Sequence, residues 1–456
     1  MFEPLKKILN PDQIVFDSNE LKIYGQDWTK LFDPKASVLL FPKTTEDVKN
    51  ILLWANEFKV GLVPSGGRTG LSGGAVALNN EAIISFEKMN KILNFNEDDL
   101  SITCEAGAIT KDIQNLAKDK GYFFPVEFSA TGSSQIGGNI ATNAGGINVI
   151  RYGMFRNWVT SLEVVTGDGE VLHINKGLEK NNTGYDFKNL FVGSEGTLGF
   201  ITKATLKLTK PPKDPQVFLL ACESPDHILP ILKAFRPLTL NAFEVFSDLG
   251  LSYVMKHAHS KAPFAERYPV YVVVDFESTD SQQDLSLQIF EDLLTNRMIT
   301  DGVLSQNQTQ YKDLWSYREN ISESISSEKP YKNDVSVKTS QIPEFIKASE
   351  AYIKKEFTNC EVVWFGHIGD GNLHINILKP KDMDKEDFKK MCAEKSPTLF
   401  AQILEFEGSI SAEHGVGLIK KDYLHYSRSK EEIILLKKIK KIFDPNGIMN
   451  PGKIFD

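Results

Sequence analysis

Two histidines and a Glu-His pair are the residues of this sequence best suited to hold a metal ion. His367 and His374 bracket the glycine-rich string 366–376, and Glu413 and His414 follow near the C-terminus. The string passes from apolar residues through an Asp-Gly pair into alternating apolar and polar residues, which predicts a β-hairpin with a two-residue turn. In that register residue 367 faces residue 374, with Cβ atoms roughly 5 Å apart. Imidazoles at that spacing can close on one divalent ion.

The hairpin alone leaves two interpretations open. A pair of buried, hydrogen-bonded histidines without a metal explains it as well as a metal site does. Asn376 lies two residues beyond His374 and therefore shares its face of the strand. The carboxylate of Glu413 and the imidazole of His414 favour a divalent metal with a neighbouring base.

The length and composition of the chain are those of an ordinary globular protein. Its 456 residues exceed what one core usually holds, so we expect two domains. A net charge of -8 and scattered lysines and arginines argue against a nucleic-acid partner. No apolar run approaches the roughly 20 residues needed to cross a bilayer, and the N-terminus lacks a signal-peptide core. We therefore expect a cytoplasmic protein without a transmembrane segment, with peripheral attachment at the inner membrane as the alternative.

Four widely separated cysteines form no paired motif. Such cysteines fit buried thiols in a reducing compartment rather than a disulfide framework. They are Cys104, Cys222, Cys360 and Cys392.

The N-terminal half alternates the patterns of helices and strands. Thr44 and Asp47 form a capping-box pattern that predicts the start of a helix. A second helix is predicted from Thr110 to a C-terminal glycine, Gly121, and residues 202–208 alternate as a strand does. This half is therefore predicted to mix α and β structure.

A proline-rich stretch divides the sequence. Residues 210–215 contain three prolines, which lack the N–H donor that a helix or strand interior needs, so we expect a domain boundary there. The apolar run 271–276 beyond it predicts a strand, and helical stretches and the hairpin follow. The second half is therefore predicted to be a sheet that carries helices.

Three glycine-rich segments offer main chain to a ligand. In the first, residues 64–74, backbone N–H groups can turn toward an anion such as a diphosphate. It is not the dinucleotide fingerprint of a βαβ unit, and on its own a glycine-rich surface loop explains it equally well. The second segment, 132–146, repeats the chemistry, and the third, 193–201, leads into a strand. Together they indicate a large ligand with a flat ring system.

These segments resemble the FAD domain of the vanillyl-alcohol oxidase and p-cresol methylhydroxylase superfamily. The strings 366–376, 411–417 and 450–453 resemble its FAD-dependent D-2-hydroxyacid dehydrogenase branch, above all the enzymes that act on D-2-hydroxyglutarate. The resemblance runs from about residue 20 to the C-terminus. It implies an α+β fold in three stretches: a two-part FAD-binding domain at 1–210, an inserted α+β substrate or cap domain at 211–405, and a C-terminal helical segment at 406–456 that returns to the FAD domain.

The resemblance also assigns residues to the cofactor. The first loop has no histidine to tether the flavin, so we expect non-covalent FAD. The residues implied for cofactor binding are Gly66, Gly67, Arg68, Thr69, Gly70, Ser72, Ser133, Gly137, Gly138, Thr142, Asn143, Glu195, Gly199 and Ile201.

The metal site and the base are assigned in the same way. His367, His374 and Glu413 would bind Zn²⁺, with Mn²⁺ as the alternative, and leave an open position for substrate. His414 would be the general base while hydride leaves the substrate C2 for the flavin. Asn376 would position the substrate. A histidine that merely packs or caps is the alternative for His414.

Three further residues match positions that bind substrate carboxylates in the relatives. Arg318 and Lys332 would supply the cations, although without the resemblance an ordinary salt-bridged or solvated cation explains each of them better. Ser322 stands where the relatives usually have threonine. It keeps the hydroxyl and loses a methyl group.

The resemblance implies oxidation of a D-2-hydroxyacid, with D-2-hydroxyglutarate favoured and D-lactate or glycolate as alternatives. A metallohydrolase acting on a phosphorylated substrate and an alkylglycerone-phosphate synthase are the competing hypotheses. The chain lacks a nicotinamide fingerprint and a haem or iron-sulfur motif, so electrons would pass to an electron-transfer flavoprotein or a quinone, and a homodimer is allowed. The remaining histidines fit no site and are expected to be surface or structural residues: His173, His227, His257, His259 and His425.

Overall fold

The computed structural model describes residues 1–258 and 260–455, so His259 and Asp456 lie outside the described residues. The chain forms two compact units, and each is built from separate stretches of sequence. The first contains Met1–Gly145, Gly153–Pro211 and Glu413–Asp456, and the second contains Gly146–Tyr152 and Pro212–Ala412. The domain limits given above remain a proposal.

The first unit contains two sheets. In the four-stranded sheet, of order β1-β2-β4-β3, the strands β2, β3 and β4 run parallel and β1 pairs antiparallel with β2. Its strands are β1 (Ile14–Val15), β2 (Val38–Leu40), β3 (Leu62–Ser65) and β4 (Ala82–Ser85). The second sheet is antiparallel, of order β5-β6-β9-β7-β8. Its strands are β5 (Ile92–Asn96), β6 (Ser101–Glu105), β7 (Val159–Thr166), β8 (Val171–Ile174) and β9 (Gly199–Lys207).

The two helices that the sequence predicts in the first unit are both present. The Thr44 side chain accepts a hydrogen bond from the Asp47 N–H and caps the helix Thr45–Phe58, whose apolar face is buried. The helix Thr110–Asp119 ends just before Gly121, which has a φ of +80° and so turns the chain out of the helix. The other helices are Leu5–Ile8, Ser18–Tyr24, Ile136–Thr142, Phe187–Phe191 and Lys430–Phe443.

The second unit is built on one seven-stranded sheet of order β13-β10-β12-β11-β15-β16-β14, in which all neighbours pair antiparallel. Its strands are β10 (Pro215–Cys222), β11 (Leu240–Ser247), β12 (Val270–Glu277), β13 (Asp301–Leu304), β14 (Tyr331–Ser336), β15 (Val362–His367) and β16 (Asn372–Ile377). Its helices are Val149–Tyr152, Ile228–Phe235, Asp248–His257, Asp280–Thr295, Gln308–Glu319, Ile321–Ser324, Ile342–Glu356 and Lys385–Glu405.

Apolar side chains of β10, β11 and β12 form the core of the second unit together with Trp315 and Ile321. The mixed composition of both units confirms the predicted α+β class. Cys104, Cys222 and Cys392 are buried free thiols as predicted, whereas Cys360 is half-buried. Among the described residues, no helix is long and apolar enough to span a bilayer.

Candidate functional site

All three glycine-rich segments line one cleft of the first unit. The first segment begins at the end of the strand β3, and the short helix Ile136–Thr142 lies within the second. The strand β9 begins near the end of the third. The cleft lining includes every residue predicted for the cofactor except Ser133 and Asn143. The side chain of Asn143 instead accepts a hydrogen bond from the Arg156 N–H at 3.0 Å.

The glycines of the cleft serve two purposes. A Cβ on Gly67 would meet the Ser133 carbonyl oxygen at 2.1 Å, so this glycine allows the first and second segments to pack together. A Cβ on Gly137 would meet the Ala106 Cβ at 2.7 Å, so Gly137 allows the second segment to pack against Ala106. A Cβ on Gly138 would meet no atom within 4 Å, so the main chain there faces open space. This combination of tight loop packing and open main chain fits a large cofactor such as FAD.

Glu195 joins the third glycine segment to the C-terminal part of the same unit. Its buried carboxylate accepts hydrogen bonds from the backbone N–H groups of Val416 and Gly417, both at 2.8 Å. Burial raises the pKa of this carboxyl, and the two N–H donors oppose that rise. The Asn450 amide also donates to the Glu195 carbonyl oxygen at 2.8 Å. Glu195 thus lines the cleft while its carboxylate holds the segment that begins with Glu413 and His414.

The hairpin of the second unit forms as predicted, but its register differs. Phe365, rather than His367, stands opposite His374. The prediction that residue 367 faces residue 374 is wrong because four residues connect the strands: the 3-10 turn Ile368–Asp370 and Gly371, which has a φ of +87°. A shift of two residues keeps every side chain on its face, since the side-chain period of a strand is two. The two imidazole rings therefore still meet, with centroids 5.3 Å apart.

Each of the two hairpin histidines has a carboxylate residue opposite it on an adjacent strand. Glu244 of β11 pairs with His367, and its Oε1 lies 2.7 Å from Nδ1. Asp334 of β14 pairs with His374, with 3.7 Å between its Oδ1 and Nδ1. Two imidazoles on one sheet face, backed by carboxylates, form a donor set that fits Zn²⁺.

Glu244 and Asp334 were not predicted from the sequence. The only local signal was a charged residue inside an apolar strand pattern, since Glu244 sits between Phe243 and Val245 and is 1% exposed. A carboxylate at such a position needs a partner.

The predicted substrate residues lie in the second unit, one row further along the strands. Asn376 pairs with Lys332, and the Lys332 ammonium donates to the Ser322 hydroxyl at 3.2 Å. Burial lowers the pKa of Lys332. In the described part of the chain, no carboxylate lies within 4.0 Å of this ammonium. Arg318 forms an ion pair within the protein, because its Nη2 lies 2.8 Å from the Glu244 Oε2.

Glu413 and His414 open the C-terminal stretch of the first unit, with 3.6 Å between a Glu413 carboxylate oxygen and the His414 Nε2. Their approach to the two hairpin histidines remains a prediction. Three of the other histidines contact neighbouring side chains: His173 is near Glu163, His257 stacks on Tyr253, and His425 contacts Tyr426.

The first unit thus presents a cleft lined by glycine-rich segments, and the second unit presents a face of histidines and carboxylates. Each is a feature of flavoprotein oxidoreductases. Residues 36–175 match the family model described as "FAD binding domain" and residues 211–454 match "FAD linked oxidases, C-terminal domain". The chain belongs to the FAD-linked oxidase family and is an FAD-dependent dehydrogenase. The metallohydrolase hypothesis is therefore wrong.

The chain is similar to curated proteins over nearly its whole length. The D-2-hydroxyglutarate dehydrogenase of Stutzerimonas stutzeri is 50% identical, covering 100% of this chain and 98% of the relative. The mitochondrial D-2-hydroxyglutarate dehydrogenase of Danio rerio is 37% identical, covering 98% and 84%. A Schizosaccharomyces pombe relative whose name proposes a mitochondrial D-lactate dehydrogenase is 38% identical, covering 96% and 85%.

Solved structures confirm the fold. The 4-ethylphenol oxidase of Gulosibacter chungangensis superposes with a TM-score of 0.77 at 18% identity, covering 99% of this chain and 95% of that one. An alkyldihydroxyacetonephosphate synthase superposes with a TM-score of 0.74 at 17% identity, covering 98% and 84%. At these identities the likeness extends to the two-part FAD-binding architecture and no further.

Proposed function

We propose that this dehydrogenase oxidises D-2-hydroxyglutarate to 2-oxoglutarate. The choice of substrate rests on the environment of Lys332. Its ammonium is part-buried, and its described hydrogen-bond partner is a neutral hydroxyl. Burying a cation without a counter-charge is unfavourable. A substrate with a second carboxylate supplies that charge, and D-lactate does not.

The spacing of the sheet face supports this choice. His374 and Asn376 are two residues apart on β16, which separates their side chains by roughly 7 Å along the strand. Lys332 stands directly across from Asn376. A five-carbon dicarboxylate with its hydroxyl end at the histidines therefore extends its distal carboxylate toward Lys332 and Ser322.

The proposed site residues have different roles in the reaction. FAD, when bound, would supply the hydride acceptor, and His367, His374 and Glu413 would hold a divalent ion that would lower the pKa of the substrate hydroxyl. His414 accepts the hydroxyl proton at its imidazole. Asn376 and Lys332 hold the substrate so that C2 keeps one orientation. The proposed ion is Zn²⁺, with Mn²⁺ as the alternative.

Two further proposals concern the route of the electrons and the assembly. The chain carries no second redox motif, so we propose that a separate electron-transfer flavoprotein or a quinone reoxidises the flavin. A homodimer is the proposed assembly.

D-lactate is the second candidate substrate, because the Schizosaccharomyces pombe relative is named for it. The deciding experiment measures kcat/KM for D-2-hydroxyglutarate and D-lactate with an artificial electron acceptor. We expect the dicarboxylate to be preferred by at least about 10-fold, the effect of one charge-assisted contact of roughly 1.5 kcal/mol. Equal values would refute the dicarboxylate assignment.

A further inference from the structure

The carboxylate of Glu244 is buried in the middle of the sheet of the second unit. Glu244 is 1% exposed, and each of its two carboxylate oxygens lies close to another side chain. Its Oε1 lies 2.7 Å from Nδ1 of His367, and its Oε2 lies 2.8 Å from Nη2 of Arg318. A buried carboxylate is tolerated only when it is paired in this way.

Arg318 is itself fixed in place. Its side chain is 7% exposed, and its guanidinium carbon lies 4.4 Å from the centroid of the Phe365 ring. Since Phe365 belongs to the same strand as His367, the arginine, the carboxylate and the imidazole form one packed row. Glu244 therefore has little freedom to turn away from the histidine.

The contact determines which nitrogen of His367 can bind an ion. An ionised carboxylate can only accept a hydrogen bond, so with its oxygen at 2.7 Å the His367 Nδ1 keeps its proton and donates a hydrogen bond to Glu244. The lone pair available to a cation is then on Nε2. Hydrogen bonding of this kind also fixes the plane of the ring.

We propose that Glu244 is a positioning residue for the metal site, which fixes the tautomer and the ring orientation of His367, and that Arg318 acts through Glu244. This inference rests on the proposed divalent-metal site. It gives Arg318 a role in addition to the substrate contact predicted from the sequence. It also explains why a charged residue stands between the apolar residues Phe243 and Val245 of β11.

A purely structural ion pair is the alternative, and metal affinity separates the two. The test variant is Glu244→Gln, and the matched control is Glu350→Gln. Glu350 is an exposed carboxylate that accepts a hydrogen bond from the Trp364 indole at 2.7 Å, so it contacts the same strand on the other face of the sheet. Zinc affinity is measured by competition with a chromophoric chelator, and FAD content by visible absorbance.

We expect Glu244→Gln to bind Zn²⁺ about 10- to 100-fold more weakly than the wild type, with unchanged FAD content. Glu350→Gln should bind both as the wild type does. Wild-type zinc affinity in folded Glu244→Gln would overturn the inference. If the wild type itself binds no divalent ion, the proposed metal site fails instead, so the two failures are distinguishable.

A second variant covers the case in which Glu244→Gln does not fold. The double variant Glu244→Met with Arg318→Met removes both buried charges, and such replacements by apolar residues of similar volume are often neutral for stability. It should fold and show the same loss of zinc affinity, whereas wild-type affinity would overturn the inference.

A measurement on the unaltered protein needs no variant. Nitrogen NMR of protein labelled in its histidine rings should show His367 protonated at Nδ1 when zinc is bound. Protonation at Nε2 would overturn the inference.

Discussion

Replacing Lys332 by methionine should convert the enzyme from one that prefers a dicarboxylate to one that does not. Methionine keeps the length and apolar body of the side chain and removes the ammonium. In the wild type this ammonium donates to Ser322 at 3.2 Å, stands across the strand pair from Asn376, and has a pKa lowered by burial. It is thus placed to receive the distal carboxylate of the substrate.

The magnitude follows from the loss of one charge-assisted contact. Such a contact contributes about 1.5–3 kcal/mol, so kcat/KM for D-2-hydroxyglutarate should fall about 10- to 150-fold. The value for D-lactate should change by less than about threefold, because lactate has no second carboxylate to lose a partner.

Steady-state assays of both acids with an artificial electron acceptor give the comparison. The control is Lys338→Met, because Lys338 is an exposed lysine of the same unit that pairs with Glu407. It should leave both values unchanged. Equal losses of kcat/KM for the two acids in Lys332→Met would contradict a contact between Lys332 and the distal carboxylate, since a general disturbance of the site would act on both substrates alike.

Three further predictions test other parts of the molecule. Gly138→Val should fold yet retain little FAD, because the added side chain occupies open space in the cleft. The control Gly132→Val, at an equally open position outside the cleft lining, should keep its flavin. The flavin-to-protein ratio after gel filtration measures the difference. Burial raises the pKa of Asp275 from 3.8 to about 6, so its stabilising contribution is present below pH 3.8 and is lost as the pH rises through about 6. Relative to Asp275→Asn, the wild type should therefore lose up to roughly 3 kcal/mol across that window, and a difference in melting temperature that does not vary with pH would contradict it. Removal of divalent ions with a chelator should slow flavin reduction by D-2-hydroxyglutarate while leaving the flavin bound, and added Zn²⁺ should restore the rate.

Local sequence was sufficient for features that depend on nearby residues. The Thr44 cap, the end of the helix Thr110–Asp119 and the strand β9 all follow from patterns within a few residues. The gathering of three glycine-rich segments in one cleft was also predictable, because their shared composition indicated a single large ligand.

Long-range pairing was not predictable in the same way. Glu244 reaches His367 across 123 residues of sequence, through strand pairing that no local pattern encodes. The hairpin register depended on the four-residue connection, in which the 3-10 turn Ile368–Asp370 and the left-handed Gly371 replace the predicted two-residue turn. Residues 146–152 begin with the last glycine of the second glycine-rich segment, yet they belong to the second unit, where Arg151 forms an ion pair with Glu277 at 2.9 Å.

Anaerobic mixing of the purified protein with the two enantiomers of 2-hydroxyglutarate shows directly whether the D enantiomer reduces the bound flavin. The visible flavin absorbance should bleach with the D enantiomer, with one equivalent of 2-oxoglutarate formed per flavin, and should persist with the L enantiomer. Protein that carries FAD but stays oxidised with D-2-hydroxyglutarate, or that is reduced equally by both enantiomers, would contradict the account.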